Sequence, residues 1–276
     1  MVSIEQRNPK RAGTLEFRTQ AVQRVICSIR NRLDESISLR EMAALAYMSR
    51  FHFNRTFRQI TGLPPRRFLS ALRVQTAIRM LLDTDHRVTD ICLDVGYNSL
   101  GTFIRRFSES LGTSPSRLRS IRQPQTRELL QVAKASPPAA ARKAEGLVVG
   151  RTITPSSFSG PVFIGLFSNP IPEGAPLACT VQHSSGFFRI ARAPRGRHYL
   201  FALGLSWPHS ISDYFSYDRA IRGGGIVILI EKDETECGDI VLRPALDTDP
   251  PILVNLPSLL KTMPSVRRTA SSSDDT

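Results

Sequence analysis

The sequence lacks any apolar run long enough to cross a bilayer; its longest, such as Ile226–Ile230, span only a few residues. Cysteine is sparse and scattered. Cys27, Cys92, Cys179 and Cys237 form no C-x-x-C pair, which excludes a zinc motif and the disulfide framework of a small secreted domain. The polar start, MVSIEQRNPKRAGT, has no apolar stretch of the kind that directs secretion, so a cytoplasmic location is expected. Lysine is also scarce. Only Lys10, Lys134, Lys143, Lys232 and Lys261 stand among 37 basic residues, and the rest are arginine. The planar arginine fork suits phosphates and guanine edges better than lysine does.

What is present is ample for folding. With 276 residues, 41% hydrophobic and 22% charged, the chain can bury a core and fill one large domain or two of ordinary size. Residues 1–145 hold 25 Lys+Arg against 12 Asp+Glu, whereas residues 146–276 hold 12 of each. The whole net charge of +13 therefore falls in the first half. Such asymmetry points to two modules, one of which meets a polyanion.

From about Thr14 to Arg122, apolar residues recur at helical spacing. Residues 123–145 mix polar residues, Ala and Pro-Pro as a linker does, with a short helix expected around Arg127–Lys134. From Gly146 the texture turns to short β-type runs: Leu147–Ile153, Val162–Ser168, Leu177–His183, Phe187–Ala191, His198–Leu203, Ile226–Glu231 and Ile240–Arg243. Gly, Pro and Ser clusters part them at the intervals of a sandwich or barrel. Residues 263–276 read as a flexible tail.

The helical half contains a repeat. Residues 49–69, SRFHFNRTFRQITGLPPRRFL, and residues 99–119, SLGTFIRRFSESLGTSPSRLR, match at seven of 21 positions without a gap. Ser49 and Ser99 can cap helices. Phe53 with Phe57, and Phe103 with Phe107, lie four residues apart and can fill a core. Gly62 and Gly112 suit helix ends, and Pro65 and Pro115 suit the openings of the next helices; Arg55 pairs with Arg105 and Arg67 with Arg117. Ser38-Leu39-Arg40-Glu41 is a capping box that opens a helix through Leu45, and Val88–Val95 is its counterpart. The turns Ala46-Tyr47-Met48 and Gly96-Tyr97-Asn98 lead into the repeats, and Gly96 suits a sharp corner. Between the copies, Pro65–Leu82 is a long helix with Phe68, Leu72, Ala77 and Leu81 on its buried side. The pattern predicts two helix-turn-helix units joined by one rigid helix.

Through SLREMAALAYMSRFHFNRTFRQITGLPP, RFLSALRVQTAIRMLL and VTDICLDVGYNSLGTFIRRFSESLGTSPSRLR, residues 21–119 resemble the DNA-binding domain of the AraC/XylS family of bacterial transcription regulators. The likeness covers about a third of the chain. It departs from the family at Cys92, usually alanine, at Leu100-Gly101-Thr102, often polar, and in placing the DNA-binding domain first. The resemblance implies double-stranded DNA as partner and two helices in successive major grooves, roughly 34 Å apart. It also implies activation through contact with RNA polymerase.

A helix in the major groove must show polar or planar side chains opposite its phenylalanine core. On Ser49–Ile60 that face carries Arg50, Phe51, Asn54, Arg55 and Arg58; on Ser99–Leu111 it carries Leu100, Gly101, Thr102, Arg105 and Arg106. The expected base readers are Arg50, Phe51, Asn54, Arg55, Thr102 and Arg105. Arg55 and Arg105 suit guanine, Asn54 suits adenine or a phosphate, and Phe51 a thymine methyl or a sugar. The expected phosphate contacts are Ser49, Arg58, Arg66, Arg67 and Arg106, which position without specifying. An isolated helical arginine is usually just solvated; the shared place in two repeats is what singles out Arg55 and Arg105. His52 reads as a surface or interhelical residue.

The neutral half reads as an antiparallel β-sandwich over residues 146–260. Gly186-Phe187-Phe188-Arg189-Ile190, the turn Pro194-Arg195-Gly196 and Tyr199-Leu200-Phe201-Ala202 are loosely similar to transthyretin-like or carboxypeptidase-regulatory sandwiches. That likeness implies binding or scaffolding more than catalysis. Cys179, His183-Ser184 and His198 lack the context of a nucleophile elbow or catalytic dyad. Gly223-Gly224-Gly225 lacks the lysine of a phosphate loop and reads as a turn. Asp233, Glu234, Glu236 and Asp239 lack EF-hand spacing and read as a solvated hairpin, and Cys179 and Cys237 as free thiols. The expected protein is an all-α double helix-turn-helix domain, a linker, then the sandwich: a sequence-specific transcription regulator and not an enzyme. No metal, cofactor or membrane is expected; a small-molecule effector or self-association through the sandwich is. The alternative is an architectural or adaptor protein whose DNA binding is weak.

Overall fold

The computed structural model describes residues 9–120, 145–182, 184–206, 212–215, 217, 220–231 and 233–256. The expected linker helix at Arg127–Lys134, His183 and the tail 263–276 lie outside the described residues. Helix α1 (Pro9–Asn31) turns Val22, Val25, Ile26 and Ile29, three and four apart, into the core. Helix α2 (Leu39–Leu45) opens on the capping box: Glu41 N–H donates to Ser38 Oγ at 3.2 Å, and Ser38 N–H to Glu41 Oε2 at 2.7 Å.

Helices α3 (Arg50–Thr61) and α6 (Leu100–Leu111) are alike from cap to cap. Each begins at a serine, Ser49 or Ser99, whose side chain accepts a backbone N–H, and each ends at a left-handed glycine. Between them, α4 (Pro65–Asp83) begins with proline in its first turn and buries Phe68, Leu72, Ala77 and Leu81, as its spacing predicts. Helix α5 (Val88–Asp94) is the counterpart of α2, and α7 (Pro115–Ser120) follows Gly112. The Phe53 and Phe57 rings pack with centroids 5.4 Å apart, Phe57 against Phe68 likewise, and Phe103 against Phe107 at 5.7 Å. Among the described residues no helix is long and apolar enough to cross a membrane.

The strands follow: β1 (Glu145–Ile153), β2 (Val162–Phe167), β3 (Ala178–Gln182), β4 (Gly186–Pro194), β5 (Gly196–Gly204), β6 (Ile221–Ile230), β7 (Glu234–Val241) and β8 (Arg243–Pro244). They form two sheets, ordered β4-β1-β7 and β3-β2-β5-β6-β8. Val148, Ile164, Leu166, Phe188, Ile190, Leu200, Ile228 and Ile240 share one core. The ladders are antiparallel except β1–β7, which is parallel.

Two local expectations are corrected here. Gly223–Gly225 is no turn but part of β6, where the register with β5 slips between Leu200 and Phe201. Left-handed φ values of 101° at Gly224 and 74° at Gly225 accommodate that bulge. The acidic stretch is solvated as expected but is no hairpin: Glu234, Glu236 and Asp239, all exposed, lie on β7 beside β1, and Arg151 donates twice to the Asp239 carboxylate, at 2.6 and 3.0 Å.

The helical and β regions meet in a common core. Ile171 and Leu253, both fully buried, and Phe215 belong to the cluster that the helices form.

Candidate nucleic-acid interface

The two helix-turn-helix corners are built alike but are not of equal length. In the first, Tyr47 N–H donates to Ala44 O and Met48 N–H to Ala43 O; in the second, Gly96 N–H donates to Leu93 O and Tyr97 N–H to Cys92 O. Tyr47 is thus the counterpart of Gly96, and Met48 of Tyr97, while Asn98 is an additional residue before the Ser99 cap. The corner requires a left-handed residue, Tyr47 at φ 55° and Gly96 at φ 83°. At Gly96 a Cβ would come within 2.2 Å of the Leu33 carbonyl oxygen.

The helices beyond these corners present the expected faces. Phe53, Phe57, Phe103 and Phe107 are fully buried. Ser49, Arg50, Phe51, Asn54, Arg55 and Arg58 on the first unit, and Thr102 and Arg105 on the second, are exposed, as is Arg66 at the start of α4. His52 is half-buried. Phe51 is 86% exposed, a costly position for an aromatic ring with nothing to cover it. Arg50, Arg55, Arg58, Arg66 and Arg105 have no intramolecular partner among the described residues. Helix α3 carries no acidic side chain at all. Both faces therefore offer free guanidinium forks to solvent.

Other arginines are committed elsewhere. Arg73 on α4 donates to Leu33 O at 3.0 Å and Glu35 O at 2.8 Å, and its guanidinium lies 5.7 Å from the Tyr97 ring centre. Burial pulls its pKa below the ordinary arginine value. Arg67 and Arg106, expected at phosphates, are half-buried, and both guanidiniums turn instead to the carboxylate of Glu173.

Two residues were missed in the sequence. Tyr47 is 87% exposed in the first corner, and the repeat offset, which pairs it with the half-buried Tyr97, hides its true equivalence to Gly96. Glu173 lies over a hundred positions from Arg67, and nothing in its local sequence marks it. In the β region, Cys179 and Cys237 are free thiols, and burial pushes Cys179 up to about 11, so little thiolate exists there at neutral pH. His198 Nε2 lies 2.9 Å from Pro194 O, inside the β4–β5 corner.

Two equally long, serine-capped helices, each behind a short helix and a tight corner, and each with an unpaired arginine facing out, define a double helix-turn-helix protein. Known proteins match it. The family described as a helix-turn-helix domain matches residues 42–121. The HTH-type transcriptional activator AarP of Providencia stuartii is 30% identical over 101 residues, 37% of this chain and 75% of AarP. The uncharacterized HTH-type transcriptional regulator YbfP of Bacillus subtilis is 33% identical over 102 residues, 37% of this chain and 35% of its own length. The chain thus spans about a third of YbfP. The solved DNA-binding domain of AdpA, in complex with a target DNA, is 34% identical, with 38% of this chain and 96% of that one covered at a TM-score of 0.36. The chain belongs to the AraC/XylS family of helix-turn-helix transcription regulators.

Proposed function

We propose that the chain is a sequence-specific transcription regulator that reads two successive major grooves of double-stranded DNA with α3 and α6. One observation carries this reading: Arg55 and Arg105 are both exposed and unpaired among the described residues, at the same place on two helices of equal length. In it, Arg55 and Arg105 fork onto guanines, while Arg50, Phe51, Asn54 and Thr102 meet neighbouring bases. Ser49, Arg58 and Arg66 take phosphates. Arg67 and Arg106, already engaged by Glu173, leave that set. AarP is named as an activator, and activation through contact with RNA polymerase is the sign proposed for this chain. The β region is the proposed place for an effector or for self-association, and the cytoplasm the proposed location.

Selection from a random duplex pool with the intact chain should return a site of about two helical turns, protected as one block in footprinting. Arg55→Ala and Arg105→Ala should each cost about 1–3 kcal/mol on that site and relax preference at one base position. Equal losses on random DNA would reduce both to phosphate contacts. Salt-sensitive smearing with no discrete site would leave the architectural reading in place of this one.

A further inference from the structure

Glu173 lies between β2 and β3, yet it is buried against the helices: its side chain is only 8% exposed. One carboxylate oxygen accepts from Arg67 Nη2 at 2.5 Å and the other from Arg106 Nη2 at 3.1 Å. Arg67 stands in the first turn of α4, just behind the first reading helix in the chain; Arg106 stands in the middle of the second. Arg106 Nε also donates to Ser70 Oγ on α4 at 3.1 Å. The flanking backbone is fastened as well. Gly174 N–H is shared between Ser110 O at 2.6 Å, near the end of α6, and Leu253 O at 2.9 Å, and Leu253 N–H donates to Pro172 O at 2.8 Å. Ile171, two residues before, is fully buried in the helical core.

This contact leaves the reading faces open. Arg50, Phe51, Asn54, Arg55, Thr102 and Arg105 are all exposed while it is made, which is not the arrangement of a device that blocks DNA. A buried carboxylate with two charge-assisted bonds is a rigid joint, because parting it strands charges away from water.

We infer that Glu173 is a positioning residue for DNA reading: by tying α6 to α4, it fixes the distance between the two reading helices and so selects the spacing of the two base contacts in the operator. The inference rests on the proposed reading of α3 and α6. It goes further in giving the β region a part in specificity through a single side chain.

The test uses the intact chain and three duplexes: the selected site, and the same site with its centre lengthened or shortened by one base pair. The wild type should favour the selected spacing. In Glu173→Gln, which keeps the shape and removes the charge, that preference should shrink by about fivefold to tenfold, the scale of ordinary coupling between sites. The slope of affinity against salt should not change, because no phosphate contact is lost. Glu173→Asp should recover part of the preference. Arg67→Gln, which cuts Glu173 from α4, should repeat the loss and serves as the readout should Glu173→Gln not fold. Unchanged spacing preference in folded Glu173→Gln or Arg67→Gln overturns the inference. Tighter binding by Glu173→Gln to every duplex, random DNA included, with a steeper salt slope, also overturns it, since Glu173 would then be masking phosphate contacts. A wild type that selects no site overturns both this and the reading beneath it, whereas a discrete wild-type site with unchanged spacing preference overturns this alone.

Discussion

At position 47 a tyrosine occupies a backbone conformation that glycine fills with least strain, and at its counterpart a glycine does so. The two positions should respond in opposite directions. Gly96→Ala places a Cβ 2.2 Å from a backbone oxygen in left-handed backbone, and should cost about 2–4 kcal/mol. Tyr47→Gly should raise stability by up to about 1 kcal/mol. Urea midpoints at constant m-value measure both. A fall in affinity for the selected duplex alongside the Tyr47→Gly gain would identify the exposed ring as a DNA contact. At this scale the sequence is a partial guide. Arg55 and Arg105 are legible because repetition places them side by side. Glu173 is not, because an ion pair closed across more than a hundred residues exists only after the chain has packed.

Helices and strands differ in how far their boundaries can be read locally. The capping serines, the terminal glycines and the phenylalanines four apart specify α3 and α6 within a dozen residues each, so their expected and observed limits nearly coincide. Strand β6 hides its first half. Three glycines look like a turn until β5 pairs with two of them, and β7 looks like part of a hairpin until β1 lies beside it, its carboxylates still exposed. Pairing across distance, not local preference, decides such segments. Gly224→Ala would put a Cβ 2.4 Å from Leu200 O at φ 101° and should cost about 2–4 kcal/mol. Gly62→Ala, with nothing within 4 Å, should cost only the left-handed strain, about 1–2 kcal/mol. Thermal melting of the two variants side by side checks the contrast.

For the molecule as a whole, the charge asymmetry of the sequence separates the regions more sharply than the packing does. Ile171, Phe215 and Leu253 come from the second half yet complete the helical core. A fragment of residues 1–145 should therefore melt well below the intact chain, by roughly 5 °C or more, because losing even one buried aliphatic contact costs about 2–5 kcal/mol. Calorimetry of both species checks this, and an unchanged fragment Tm would show the shared core to be dispensable. The equal cap-to-cap length of the reading helices has a consequence for engineering. Ser49–Gly62 and Ser99–Gly112 can be exchanged as cassettes, caps and phenylalanines intact, and a chain with two copies of the first would ask its operator for a direct repeat. Such a graft would also place Thr56 where Arg106 stands. Specificity can move between the two units only if that arginine stays behind to hold the joint.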